Sequence, residues 1–445
     1  MRRLVPPSIA STLQPVRRLF GTDGVRGVAG DFLTADLALA LARAATERAK
    51  PGGRARVLVI RDTRESGEML EAAVAAGIAA AGGDARLGGV LPTPAAPLLI
   101  HRYGFDLAVV LSASHNPFHD NGIKFFGSDG FKLGDAAEAE VEAMLEVPPA
   151  AAAPGRVGPF HGAPEDYLRA LHERFGGLDL AGRRVLLDCA NGAASSVAPE
   201  IFRRLGAAVD VLAAEPDGRN INAGCGSTHL GSLREHMVAG DHDAGFAFDG
   251  DADRVLAIDR TGAVVDGDEL IALAALHLGV TGVAVTVMTN YGFHVAMREA
   301  GVQVVTTPVG DRYVLEALRE RGWRLGGEQS GHIIEMGFVP SGDGIAAALL
   351  TMESLEGGDL ADRHAMERLP QRLVNVSVTD RAAGESSAVD AAVEEEARAL
   401  EGRGRVLVRA SGTEPLLRVM VEAPTAEEAD AACARLVAVV EAACG

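Results

Sequence analysis

Short apolar runs, each followed by a helix-sized stretch and a glycine turn, recur along this chain and leave few folds open to it. Residues 57–60 read Val-Leu-Val-Ile, a helical stretch covers 65–81, and Gly82-Gly83 turns the chain before the next apolar run at 106–111. Alternation at this spacing predicts βαβ units and a mainly parallel sheet. The pattern returns with strands over 184–188, 209–212 and 244–248 and a helix near 196–205. A third run starts near Gly262, with strands over 283–288 and 303–306 and helices over 293–300 and 314–321. From about Leu369 the order becomes strand, helix, strand, strand, helix (373–378, 388–401, 405–408, 417–421, 426–443), an α+β pattern.

The fold class expected is therefore α/β: three similar domains with mixed, mainly parallel sheets, over 17–158, 159–261 and 262–368, then an α+β domain over 369–445. A length of 445 residues agrees with two to four domains. Residues 148–159, rich in Ala, Pro and Gly, read as a linker,. The first sixteen residues are basic and free of acids; they lack the apolar core of a secretory signal and read as a disordered extension.

Composition narrows the partners. A net charge of −19 repels phosphodiester backbones and argues against nucleic acid. An anionic small substrate needs cations gathered locally instead. With 48% hydrophobic and 23% charged residues, the chain can bury sizeable cores,. Cys189, Cys225, Cys433 and Cys444 form no Cys-x-x-Cys pair, so zinc and redox motifs lack support and a reducing compartment fits. Residues 270–288 are uncharged and long enough to raise a membrane span,. His277, Gly279, Thr281 and Gly282 divide them into a buried helix (270–278), a turn and a buried strand (283–288), so no span is expected.

Four loops concentrate the chemistry. Ser112-Ala113-Ser114-His115-Asn116-Pro117 follows directly on the apolar run 106–111. The end of a parallel strand is the sheet edge where α/β enzymes place their sites, and the Asn-Pro turn holds Ser114 and His115 outward. The same residues also suit a plain loop cap. No Gly-x-Ser-x-Gly elbow is present, so an esterase has no support. Asp249-Gly250-Asp251-Ala252-Asp253-Arg254 lies between two strands. Alternate residues of an extended segment point the same way, so Asp249, Asp251 and Asp253 can converge on one hard cation. Arg254 and Arg260 occupy the sixth and twelfth positions, which rules out an EF-hand,. Magnesium suits a few carboxylates plus a phosphate oxygen.

Arg409-Ala410-Ser411-Gly412-Thr413-Glu414-Pro415, with Arg418 beyond, offers guanidinium forks, hydroxyls and backbone N–H groups to a phosphate,. An ordinary hairpin turn reads similarly. Gly326-Gly327-Glu328-Gln329-Ser330-Gly331-His332 offers a carboxylate, a hydroxyl and an imidazole, which suit sugar hydroxyls or an amine. Arg26 sits in a Gly-rich bend able to meet a phosphate, and Lys124 follows the serine loop.

In order, FGTDGVRG, SASHNP, NGIKFF, DGDADR, GEQSGH and RASGTEP resemble the α-D-phosphohexomutase superfamily, from about Arg18 to the C-terminus. The resemblance implies that Ser114 is a phosphoserine and binds Mg2+ together with Asp249, Asp251 and Asp253. Arg409, Ser411, Gly412, Thr413 and Arg418 then hold the phosphate that is not being transferred, while Glu328 and Ser330 contact sugar hydroxyls. Lys124 and His332, assisted by Arg26, are implied to move protons and stabilise charge. Four domains around a central cleft, a homodimer and a cytoplasmic role in cell-wall precursor synthesis follow from the same resemblance. Within the superfamily, Gln329, the run Val309-Gly310-Asp311-Arg312-Tyr313-Val314, and Asn220-Ile221-Asn222 before Cys225-Gly226-Ser227-Thr228-His229 resemble its amino-sugar members, which implies a reversible exchange between glucosamine 6-phosphate and glucosamine 1-phosphate, through glucosamine 1,6-bisphosphate. Phosphomannomutase or phosphoglucomutase activity uses the same machinery, and a metal-dependent sugar phosphatase uses the same serine and aspartates.

Overall fold

The computed structural model describes residues 19–21, 23–145, 153–378, 386–410 and 416–444. They form two compact units, one comprising the residues up to Leu91 with Ala95–Pro164 and Asp217–Arg219, the other Pro92–Pro94, Glu165–Pro216 and Asn220–Gly445.

The first unit is built on a six-stranded sheet in the order β1-β5-β4-β2-β3-β6. Its strands are β1 (Val25–Val28), β2 (Arg56–Arg61), β3 (Asp84–Val90), β4 (Leu107–Leu111), β5 (Asp120–Gly127) and β6 (Val157–Pro159). β4, β2, β3 and β6 run parallel, and β5 is antiparallel to both β4 and β1. Helices α1 (Ala35–Ala49), α2 (Ser66–Ala80), α3 (Ala95–Tyr103) and α4 (Asp135–Leu145) complete the unit. Val57, Leu58, Val59, Ile60 and all of β4 are buried, as central parallel strands covered by helices must be. On one side Leu41, Ala45, Leu70, Val74 and Ile78 pack with Val57, Val59, Val109 and Leu111 in a single core.

β6 corrects the expected linker. Residues 157–159 add an edge strand to β3, preceded by a hydrogen bond from the Ala85 N–H to the Arg156 carbonyl (2.8 Å). A three-residue strand that ends in proline carries no periodicity to detect, although proline suits a sheet edge. Residues 146–152 and the N-terminal extension 1–16 lie outside the described residues.

The second unit carries three sheets. A five-stranded sheet, ordered β11-β10-β9-β7-β8, contains β7 (Arg184–Asp188), β8 (Ala208–Leu212), β9 (Ala244–Phe248), β10 (Val255–Asp259) and β11 (Val264–Val265). β8, β7 and β9 are parallel; β9 and β10 form an antiparallel pair. Its helices are α5 (Ala163–Phe175), whose first two residues belong to the first unit, α6 (Ala198–Arg204) and α7 (Gly231–Ala239).

The next sheet, ordered β13-β12-β14-β15, is made of β12 (Gly282–Thr286), β13 (Gln303–Thr307), β14 (Leu325–Gly327) and β15 (Ile333–Glu335). With it go α8 (Gly267–Leu278), α9 (Tyr291–Glu299), α10 (Asp311–Arg321) and α11 (Gly344–Ser354). The uncharged stretch 270–288 resolves as expected into α8, a turn and β12. Asp266 caps the helix start by accepting from the N–H groups of Asp268 and Glu269, and Gly279 ends it in the left-handed region (φ 58°),. Among the described residues, no helix is long and apolar enough to cross a membrane.

The last sheet is antiparallel, in the order β16-β18-β17, from β16 (Gln371–Ser377), β17 (Arg405–Ala410) and β18 (Leu416–Glu422). α12 (Ser387–Ala399) and α13 (Ala426–Cys444) cover it. Its departure from the βαβ plan is the α+β character expected from the sequence.

Candidate active site

Ser114 lies three residues beyond β4 and is buried. Its backbone adopts φ 52°, the left-handed region that costs a residue with a Cβ and that recurs at functional loops. Hydrogen bonds hold it there from both sides. The Ser114 N–H donates to Ser112 Oγ (2.9 Å), and the Ser114 carbonyl accepts from Arg64 Nη2 (2.8 Å). Ser114 Oγ lies 3.3 Å from His115 Nδ1. Ser112 in turn donates its N–H to the Gly122 carbonyl of β5 (3.0 Å). A Cβ on Gly122 would come within 2.4 Å of the Ser112 carbonyl, so only glycine permits this approach.

Arg26 and Lys124 come together on one carboxylate, Asp23. Lys124 Nζ is 3.0 Å from Asp23 Oδ2, Lys132 Nζ is 2.5 Å from Oδ1, and Arg26 forms a further ion pair with the same group. Burial acts to raise the Asp23 pKa, but the charges of Lys124, Lys132 and Arg26 outweigh it and hold the carboxyl well below its usual range. Three cations thus gather around one carboxylate, a grouping of positive side chains that suits a phosphate. The strands explain the grouping: Arg26 pairs with Gly122 across β1 and β5, two residues before Lys124.

In the second unit the loop between β9 and β10 brings Asp249, Asp251 and Asp253 together. All three are buried, and each offers a carboxylate oxygen within 4.8 Å of the others. Ala252 at φ 55° makes the tight turn, with its N–H donating to the Asp249 carbonyl (3.0 Å). The Arg254 N–H donates to Asp249 Oδ1 (3.1 Å). Thr93 holds Asp251 twice, by its N–H to the Asp251 carbonyl (2.9 Å) and by its hydroxyl to Oδ2 (2.6 Å). Neighbouring loops grip the backbone: the Ala193 N–H donates to the Gly250 carbonyl (2.9 Å), and the Gly344 N–H to the Ala252 carbonyl (2.9 Å).

Arg254 balances part of this charge. Burial works against its guanidinium, yet Asp253, Asp249, Glu328 and Asp251 outweigh it and hold the pKa above its usual value. Arg254 is the one guanidinium set against these three carboxylates in the loop. Oxygen donors alone, buried, with that balance, fit a hard divalent cation.

The turn between β14 and β15 supplies Glu328, Ser330 and His332. Glu328 is buried and Ser330 exposed. Glu328 Oε1 accepts from the Gly310 N–H (3.0 Å), and Ser330 Oγ lies 3.4 Å from Oε2. His332 is buried rather than at the surface. Its Nε2 accepts from the Gly342 N–H (3.1 Å), which assigns the proton of the neutral ring to Nδ1. That nitrogen faces Asp253 Oδ1 at 3.6 Å, while Nε2 is 3.7 Å from Asp311 Oδ2. Beyond Gly342, Asp343 accepts from the Tyr167 hydroxyl (3.0 Å) and caps α11. Burial pushes its carboxyl up to about 7.

Arg409 and Arg418 are direct partners across β17 and β18, so their side chains leave one face together. Like charges in that position destabilise a sheet, unless an anion lies between them. Ser411, Gly412 and Thr413 lie outside the described residues. Sequence reading passed over Arg64, Thr93 and Asp23. An Asp-x-Arg pattern directly after β2 was a usable signal for Arg64 and Asp62, whereas Thr93 stands between prolines with no local mark of its role.

Four family models match in order: the phosphoglucomutase/phosphomannomutase alpha/beta/alpha domain I over residues 17–149, domain II over 161–262, domain III over 266–372 and the C-terminal domain over 373–439. A phosphoglucosamine mutase of Parafrankia sp. is 50% identical, the match covering 95% of this chain and 99% of the relative. A phosphoglucosamine mutase of Moorella thermoacetica is 51% identical over 92% of this chain and 96% of its own length. Among solved structures, a phosphoglucomutase/phosphomannomutase family protein of Burkholderia thailandensis superposes with a TM-score of 0.79 at 24% identity, covering 95% of this chain and 96% of that one.

Proposed function

Because this chain belongs to the phosphoglucomutase/phosphomannomutase family, an isomerase family, we propose that it interconverts glucosamine 6-phosphate and glucosamine 1-phosphate. Ser114 is the covalent carrier of the phosphoryl group. The substrate class comes from relatives at about half identity over nearly the whole chain, which are named phosphoglucosamine mutases. The observation that carries the serine reading is its backbone: a buried serine beyond a parallel strand, held at φ 52°, is a strained arrangement that a plain loop cap does not require.

In the forward half-reaction, phospho-Ser114 gives its phosphoryl group to the free C1 hydroxyl of glucosamine 6-phosphate. The Ser114 Oγ–P bond breaks as the sugar O–P bond forms, and the hydroxyl proton passes to a basic group of the site. The product is glucosamine 1,6-bisphosphate. After the bisphosphate turns over, Ser114 takes back the 6-phosphoryl group, and glucosamine 1-phosphate leaves. Arg409 and Arg418, with Ser411, Gly412 and Thr413, hold the phosphate not in transfer. Glu328 and Ser330 read sugar hydroxyls, and His332, fixed by the Gly342 N–H, faces the aspartates.

Asp249, Asp251 and Asp253 would hold Mg2+, with phospho-Ser114 as the further ligand that the family resemblance implies. Magnesium supplies charge neutralisation on the transferring group. Lys124 and Arg26 lend positive charge to the phosphoryl oxygens. Four domains, over 17–158, 159–261, 262–368 and 369–445, and a homodimer working in the cytoplasm are part of the same reading.

An assay of glucosamine, glucose and mannose 6-phosphates side by side, with magnesium and a trace of bisphosphate, tests it. Glucosamine 6-phosphate should turn over fastest, and Ser114→Ala should abolish turnover. Steady release of inorganic phosphate would point to a phosphatase instead, and full activity in Ser114→Ala would end the serine reading.

A further inference from the structure

Arg64 is fully buried, as is Asp62 beside it, yet neither belongs to the chemistry described above. The Arg64 guanidinium has five N–H donors, and every one of them is used. Nε donates to Asp62 Oδ2 (2.9 Å). Nη1 donates to the carbonyls of Asp120 (3.0 Å) and Pro117, and Nη2 to those of Ser114 (2.8 Å) and Asn116 (2.9 Å). Asp62 Oδ1 accepts the Arg64 N–H (3.0 Å) and closes the pair on itself. Three of the four carbonyls belong to the serine loop, one of them that of Ser114 itself, and the fourth is that of Asp120 at the start of β5.

We propose that Arg64 is a positioning residue for phosphoryl transfer: its guanidinium moulds the serine loop from beneath and fixes where Ser114 Oγ points. The proposal rests on Ser114 being the phosphoryl carrier. Two observations separate this role from phosphate binding or core filling. The charge of Arg64 is matched by Asp62 at contact distance, with both groups shielded from solvent, so little is left over for a substrate anion. One of its hydrogen bonds goes to the carbonyl of Ser114 itself, the residue strained at φ 52°, and the other three carbonyl bonds hold the chain just beyond it. Ser112 Oγ fixes the peptide on the other side of Ser114. The nucleophile is thus clamped between a hydroxyl and a guanidinium fork. Lysine carries three donors on one tetrahedral point and cannot serve four carbonyls and a carboxylate at once.

The test compares Arg64→Lys, Arg64→Ala and Asp62→Asn with the parent, all as the full chain. A loop that shifts by about 1 Å costs on the order of 100-fold in rate. Arg64→Lys should therefore lose kcat by roughly that factor while KM for glucosamine 6-phosphate stays within about threefold, because ground-state binding is untouched. Intact mass after incubation with glucose 1,6-bisphosphate should show Ser114 loading more slowly in the same proportion. Guanidinium ion added to Arg64→Ala should restore part of kcat, and Asp62→Asn should fall between the parent and Arg64→Lys.

Folded Arg64→Lys with the parent's kcat overturns the proposal. So does a set of Arg64 and Asp62 variants that all fail to fold, since the pair would then serve the core alone. A parent chain that takes up no phosphate on Ser114 defeats the carrier reading itself. Normal loading of the parent with an indifferent Arg64→Lys defeats only the role of Arg64.

Discussion

Thr93→Val tests the metal loop at its most economical point. Valine keeps the shape of threonine and leaves the Thr93 backbone bond to the Asp251 carbonyl (2.9 Å) in place. Only the 2.6 Å hydroxyl bond to Asp251 Oδ2 is lost. Both residues are fully buried, so water does not replace it. A hydrogen bond to a charged group contributes about 1.5–3 kcal/mol, and removing a group that orients a metal ligand typically weakens binding by about 10–100-fold. At free magnesium of about 100 times the parent's Kd, binding stabilises the folded chain by about 2.7 kcal/mol. A site weakened about 30-fold leaves about 0.9 kcal/mol under the same conditions. The magnesium-dependent rise in melting temperature should therefore shrink by a few degrees, roughly 1–2 °C for each kcal/mol lost from a chain of this size. Melting scans of parent and variant across a magnesium titration measure this without reference to turnover. Superimposable titrations from two folded proteins would refute the reasoning, because they would show that Asp251 needs no support.

Asp268 gives a pH signature: burial and the nearby Asp266 push its carboxyl up to about 7, against opposing hydrogen bonds from Asn290 and Thr289 and the charge of Arg368. The folded state then holds this proton more tightly than the unfolded chain, so its stabilising effect is complete below about pH 4 and fades as pH rises to 7, by at most about 4 kcal/mol. Asp268→Asn should flatten the fall in melting temperature between pH 5 and 8, whereas parallel curves would exclude the carboxyl as the cause. Gly331→Ala should cost several degrees of melting temperature and most activity, since Gly331 sits at φ +89° and a Cβ would meet the Val255 carbonyl at 2.0 Å; an active, equally stable variant would show that the turn can give way. Chelation should stop turnover and lower the melting temperature modestly, with full recovery on adding magnesium, and activity that persists in excess chelator would remove the metal from the scheme.

Most of the central strands were legible because burial on both faces leaves an unbroken apolar run. The run at 57–60 became β2, that at 106–111 became β4, and that at 244–248 became β9 with every residue buried. Elements with mixed faces were harder: β5 contains Asn121, Gly122 and Lys124, and β14 is only Leu-Gly-Gly. Their pairing depends on partners far along the chain, which no local pattern records. The aspartate loop was readable because its ligands are adjacent in sequence and their spacing is their geometry. Thr93 is 158 positions from Asp251, and Arg64 is about fifty from the carbonyls it grips. Contacts of that kind are written only in the folded chain. His332 lay between the two cases: its motif was visible, but its burial and the Gly342 N–H that fixes its ring were not.

Arg254 bears on the order in which the enzyme is put together. In many small metal domains the ligands repel one another until the ion arrives, so folding waits for metal. Here a cation supplied by the chain is already threaded among the carboxylates. The loop can therefore close before any metal is bound. Ion exchange then need not pass through an unfolded protein.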